Sequence, residues 1–258
     1  MTTYARPTND SDRLSLLQLA TATAATDQAA GKSYLAADTQ AALSDLLAGF
    51  AGVNEAVTAT QAAFGQAGRA TDIAFLALTG LVQRIWSDAR NRVRFGDAGP
   101  ALLTYAQLPQ RGRGPKPASR PAWLEIADRL RQGAVQAEAA GFAPLAQANA
   151  LSALIDAAQT NLQSLLAAKT ALAEARRRRN DLRQTVDRFC TRLVEDLRHA
   201  LRDLPPAQQR QIMRTYGVRF QQTSSGEGQI ERALPAAPAA QEGAVLGWQL
   251  QPQAVAAG

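Results

Sequence analysis

The chain predicts an all-α fold: a tandem duplicated antiparallel helical bundle with long helices, followed by a short extended C-terminal tail. Three observations carry this. Proline is absent from Thr8 to Gly99, and proline and glycine are both absent from Leu145 to Leu204. Through both stretches apolar residues recur three and four positions apart, the period of one helix face. The first stretch also returns in the second. R-I-W-S-D-A-R-N-R-V-R from Arg84 matches R-L-V-E-D-L-R-H-A-L-R from Arg192 without a gap, at a spacing of 108. Arg84 then falls on Arg192, Ile85 on Leu193, Asp88 on Asp196, Arg90 on Arg198, Val93 on Leu201 and Arg94 on Arg202. The same spacing places Ala42-Leu43-Ser44 on Ala150-Leu151-Ser152 and Arg69 on Arg177. A repeat of this length implies two copies of one helical unit.

The first helix starts near Asn9 or Asp10, where short polar side chains can accept from exposed backbone N–H groups. Leu14, Leu17, Ala20/Thr21 and Ala24/Ala25 form its stripe, and Gly31 is its stop. A second helix carries Leu43, Leu46/Leu47, Phe50, Val53, Val57 and Phe64, with Gly65 and Gly68 predicted to end it. A third runs from about Ala70 to Phe95. Its Ile73–Val82 stretch, interrupted only by Thr79 and Gly80, is the most apolar in the chain. It is too short to span a bilayer and reads as a buried helix segment.

Gly96 to Pro121 changes character. G-D-A-G-P and Q-R-G-R-G-P-K-P-A-S-R-P break both regular structures, so this segment is read as an exposed basic loop. The second unit opens at Pro121-Ala122-Trp123, with Ser119 as cap and Pro in the first turn. Trp123, Ile126/Ala127, Leu130 and Ala134 make its stripe, and Gly141 takes the place of Gly31. From Leu151 the rhythm runs to Leu172 and resumes from Leu182 to Leu204. One helix of about 90 Å and two helices with a turn near 173–180 are both open readings. Pro205-Pro206 ends this stretch, and a short helix from Ala207 to Tyr216 stops at Gly217. The resulting division is 9–98 for the first unit, 99–120 for the basic loop and 121–220 for the second unit. A tether follows at 221–243, and an extended tail at 244–258. In that tail Leu246, Trp248 and Leu250 alternate with Gly247, Gln249 and Gln251, the one clear strand pattern in the chain.

Composition narrows the chemistry. Hydrophobic residues are 46% of the 258, but aromatics only 5%, and the abundant Ala builds helices better than it fills cores. The formal charge is +6, carried almost wholly by Arg, since the only lysines are Lys32, Lys116 and Lys169. Arg suits bidentate binding of carboxylate or phosphate, although a GC-rich genome produces the same bias. The single Cys190 permits no intramolecular disulfide and fits a reducing compartment. The N-terminus lacks a signal-peptide core, so a cytoplasmic location is expected.

No catalytic constellation emerges. Gly31-Lys32-Ser33 resembles the end of a phosphate loop, but Thr26 stands where that loop needs its first Gly. Cys190 and His199 are nine residues apart on one helix and face different sides. Glu195, Asp196 and His199 faintly resemble a metal set, but His199 is the only histidine, which excludes a paired Glu-x-x-His site. No catalytic residue, cofactor, metal or small-molecule substrate is predicted. The leading expectation is a non-enzymatic structural protein that forms homo-oligomers. Leu246, Trp248 and Leu250 are its candidate anchor, docking on a neighbour or on their own bundle. The alternative is a polyanion-binding module using Arg111, Arg113, Lys116 and Arg120 of the loop with the run Arg176, Arg177, Arg178 and Arg179. It lacks the interleaved aromatics that stack on bases, so nucleic acid is not favoured as a partner. A membrane-active helical effector is a third, weaker reading.

Overall fold

A computed structural model of the chain describes residues 2–107, 114–145 and 147–222. The architecture is all-α, with six helices and one short strand pair among the described residues. Helix α1 spans Asp10–Ala29, α2 Ala37–Phe95, α3 Ala101–Tyr105, α4 Arg120–Ala139, α5 Leu151–Ala200 and α6 Pro206–Thr215. Strands β1 (Thr2–Ala5) and β2 (Arg219–Gln222) pair antiparallel, Thr2 opposite Gln222 and Ala5 opposite Arg219.

The frame is the antiparallel pair of α2 and α5. Thr39 near the start of α2 bonds Asp196 near the end of α5, and Thr71, past the middle of α2, bonds Asn161 in the early part of α5. With 59 residues in α2 and 50 in α5, the helices are about 90 and 75 Å long. The turn expected at Gly65 and Gly68 does not form. Neither glycine adopts positive φ; among the described glycines that role falls to Gly31, Gly96, Gly141 and Gly217. A helical glycine costs only about 1 kcal/mol relative to Ala, and here Ala-rich neighbours and the long partner helix outweigh that cost. For α5, too, the continuous reading is the one realised.

Several expected boundaries match. The Asn9 side chain caps α1 by accepting from the Asp12 N–H at 2.8 Å, and Ser119 caps α4 through the Ala122 N–H. Gly31 and Gly141 both take the left-handed conformation just past helices of 20 residues. Gly96 does the same after α2, where the Asp97 N–H reaches back to the Arg92 carbonyl at 2.9 Å, a left-handed helix stop.

Two separate cores sit at the ends of the α2–α5 pair. The proximal core joins α1 (Leu16, Leu17, Ala20), the start of α2 (Leu43, Phe50) and the end of α5 (Val186, Leu193, Leu197) to Met213, Tyr216, Val218 and Phe220. The distal core joins the end of α2 (Leu78, Val82, Ile85) to Leu102, Leu103, Leu130 and the start of α5 (Leu151, Ile155). Each core therefore draws residues from both of the segments 9–98 and 121–220.

Two elements differ from the sequence reading. Part of the basic loop folds as α3, and Leu102, Leu103 and Ala106 are buried there. Its approach requires Gly133 on α4: a Cβ at that position would lie 2.6 Å from the Ala106 carbonyl carbon. The strand pair is the second difference. It lies at 2–5 and 219–222, whereas the strand pattern in the tail, with Leu246, Trp248 and Leu250, lies outside the described residues. Val218 and Phe220 point into the proximal core with one residue between them. The strands read T-T-Y-A and R-F-Q-Q, each with a single large apolar residue, so neither registers as an alternating run in the sequence.

Candidate functional site

Three surfaces could carry function, and each follows from how the helices are stacked. The first is the shaft between the cores, residues 54–71 of α2 and 163–178 of α5. A third helix covers the pair at each end but not here. Two helices bury only the seam between them, so the shaft hides Val57, Thr71, Leu172 and Ala175. Phe64 and Leu165 stay half-buried, and Leu166 is 56% exposed. The Thr71 hydroxyl is shared between the Ala67 carbonyl at 2.7 Å and the Asn161 carbonyl at 3.0 Å, which satisfies the one fully buried polar group of the shaft. Gly52, Ala56, Thr60, Ala171, Ala175 and Arg178 line a shallow open groove along one side.

The second surface is the proximal ion network. Asp10, the first residue of α1, takes a bidentate pair of hydrogen bonds from Arg183, with Arg179 at 3.7 Å and Arg13 at 3.6 Å. Arg13 in turn donates two bonds to Asp187, at 2.8 and 2.9 Å. The Arg183 hydrogen bonds, opposed in part by burial, hold the Asp10 carboxyl below its ordinary value of 3.8. Arg219 on β2 bonds Asp12, so the strand pair is tied to the same helix start. The network was not legible in the sequence, because its partners are more than 170 residues apart.

This network divides the Arg176–Arg179 run. Arg179 is largely buried against Asp10, and its Nε has no hydrogen-bond partner among the described residues. Arg176 donates to Gln61 at 3.0 Å across the helix pair. Arg178 lies 3.9 Å from Glu174, both well exposed, and Arg177 is exposed. Of the loop cations, Arg120 pairs with Asp72 and lies over the Phe75 ring at 5.7 Å. Lys116 is exposed, and Arg111 and Arg113 lie outside the described residues. Among the described residues the two basic segments are not gathered: Arg120 sits at the distal core and Arg179 at the proximal one.

Cys190 is buried in the proximal core while His199 on the same helix is exposed. Burial, reinforced by Asp187, pushes the Cys190 thiol up to about 12, which makes it a poor nucleophile near neutral pH. Among the described residues no three His, Cys, Asp or Glu side chains are grouped to hold a metal ion. No helix among them is long and apolar enough to cross a membrane.

The third surface is the outer face of α2. Ile73–Val82, expected to be buried throughout, is divided by the helix turn. Phe75, Leu78, Leu81 and Val82 enter the distal core, but Ile73 is 69% and Leu76 75% exposed. The periodicity was present, but a stretch apolar on all sides does not say which side stays uncovered.

Comparison with known proteins found no matching family model, no matching curated protein and no matching solved structure.

Proposed function

We propose that this chain is a non-enzymatic helical scaffold that self-associates into homo-oligomers. The observation that carries the reading is the uncovered shaft. About 25 Å of paired helix leaves Phe64 and Leu165 half-buried and Leu166 exposed, and a second copy could complete the layer as the third helix does at each end. The matched segments from Arg84 and Arg192, read as an internal duplication, would give one chain two similar ends. Pseudo-symmetry of that kind suits an assembly unit. Leu246, Trp248 and Leu250 are the proposed tail anchor, joined to β2 by residues 223–243; both segments lie outside the described residues.

Native mass by light scattering tests this. Two variants separate the contributions, Leu166→Glu on the shaft and deletion of 244–258. Each is expected to lower the mass of the assembly while leaving helical circular dichroism intact. A full chain that is monomeric at tens of micromolar would overturn the proposal. Polyanion binding is the second reading, supported by the exposure of Arg177 and Arg178. It requires salt-sensitive retention on heparin that is lost on Arg177→Gln/Arg178→Gln.

A further inference from the structure

We infer that the outer face of α2, from Arg69 to Phe95, is a docking surface for an anionic lipid bilayer. Arg69, Ile73, Leu76, Gly80, Arg84, Ser87, Asn91 and Arg94 follow one another at spacings of three and four, so they share one side of the helix. The opposite side, with Thr71, Phe75, Leu78, Val82, Ile85 and Ala89, is buried. The outer stripe is uncovered: Ile73 and Leu76 are 69% and 75% exposed, and Phe95, beside Arg94 at its edge, is 71% exposed. Arg69, Arg84 and Arg94 are also exposed.

Charge decides the partner. The only two carboxylates between 66 and 95 are Asp72 and Asp88. They lie at the edges of the stripe, where Arg120 engages the first and Arg92 the second at 2.9 Å. What remains is cationic, with large apolar side chains set between the cations. A second copy docking on this face through the same stripe would bring like charges together. Nucleic acid would pair with the arginines but would gain nothing from Ile73 and Leu76. A bilayer bearing acidic headgroups accepts both, the guanidinium groups at the phosphates and the aliphatic chains below them. The stripe extends about 39 Å along one continuous helix, most of it backed by the distal core. Docking therefore needs no unfolding, and three apolar contacts make it reversible and dependent on ionic strength.

The test is co-flotation of the full chain with vesicles of phosphatidylglycerol and phosphatidylcholine, against phosphatidylcholine alone. Binding to the anionic vesicles is expected at low salt, with release at about 0.5 M salt, where screening lengths fall to a few ångströms. Ile73→Glu/Leu76→Glu should weaken partitioning about tenfold or more, and Arg84→Glu/Arg94→Glu by a similar factor. Both pairs are exposed, so circular dichroism should be unchanged. The tail is intact in these variants, so its contribution cancels. Equal binding to neutral vesicles, or no binding to anionic ones at low salt, would overturn the inference. So would retention of duplex DNA that is lost on Arg84→Glu/Arg94→Glu but indifferent to Ile73→Glu/Leu76→Glu. Light scattering on Arg84→Glu/Arg94→Glu, both outside the shaft, should show unchanged mass, which separates this face from the self-association proposed above.

Discussion

The proximal and distal ends of the molecule solve one packing problem by different means. At both, a 20-residue helix lies across the α2–α5 pair and is followed by a left-handed glycine. At the proximal end α1 is fastened by charge: Asp10 and Arg13 reach Arg183 and Asp187, and Arg219 reaches Asp12. At the distal end one such pair, Arg120 of α4 with Asp72 of α2, is joined by close approach, with the α3 backbone set against Gly133. The residues matched at a spacing of 108 diverge in the same way. Arg192 bridges to Asp38 and Asp196 accepts from Thr39, both across the helix pair. Arg84 instead donates to the Gly80 carbonyl of its own helix, and Asp88 pairs with Arg92 there. Ile85 and Leu193, by contrast, are both fully buried. The matched Ile85 and Leu193 keep one role in both ends, whereas the matched charged positions take whichever partner the local surroundings offer.

The strongest way to break this comparison is to empty each core in turn. Phe50→Ala should cost about 3–5 kcal/mol and Ile85→Ala about 2–5 kcal/mol. Native-state hydrogen exchange should show Phe50→Ala loosening α1, α6 and the proximal parts of the long helices, and Ile85→Ala loosening α3 and α4. Uniform loss of protection in either variant would mean that the ends are one cooperative unit. A smaller effect tests the glycines. Gly133→Ala should cost about 1–3 kcal/mol by forcing α3 outward. Gly65→Ala meets nothing nearer than the Arg69 guanidinium at 3.9 Å and should stabilise by about 0.5–1 kcal/mol. Thermal melts of the pair decide the sign.

The smallest effect is electrostatic and confined to the proximal end. Because the folded Asp10 carboxyl titrates below 3.8, the native state binds fewer protons there than the unfolded chain. Its contribution is complete above that value and is lost as pH falls through the lower, folded one. Asp10→Asn should therefore cost about 1 kcal/mol at neutral pH and flatten the acid limb of stability against pH. Chemical denaturation between pH 2 and pH 7 measures this. An unchanged acid limb would show that the network does not fasten α1.

Much of the local structure was readable from residues that act on their neighbours. Asn9 and Ser119 start helices because their side chains reach an N–H three positions on. Gly31, Gly141 and Gly217 stop them because they tolerate positive φ. The run from Leu145 to Leu204 was compatible with one helix because nothing in it interrupts one. Gly65 and Gly68 misled for the same reason that Gly31 did not. A glycine permits a turn without requiring it, and the choice depends on what packs alongside. The candidate surfaces were less legible. Ile73 and Leu76 belong to the apolar run but fall on the side that the distal core leaves uncovered. The Arg176–Arg179 run was visible as charge, but the burial of Arg179 against Asp10 was not.

The sequence by itself determined the all-α class, most helix starts and stops, and the apolar stripes. These depend on backbone hydrogen bonds and side-chain spacing within a few residues. Only the tertiary structure decided that the long helices run unbroken past Gly65 and Gly68, that two cores form at opposite ends, and that the shaft and the outer face of α2 stay uncovered. Those outcomes depend on contacts between residues 90 to 190 positions apart, whose energies exceed the small local preferences written along the chain.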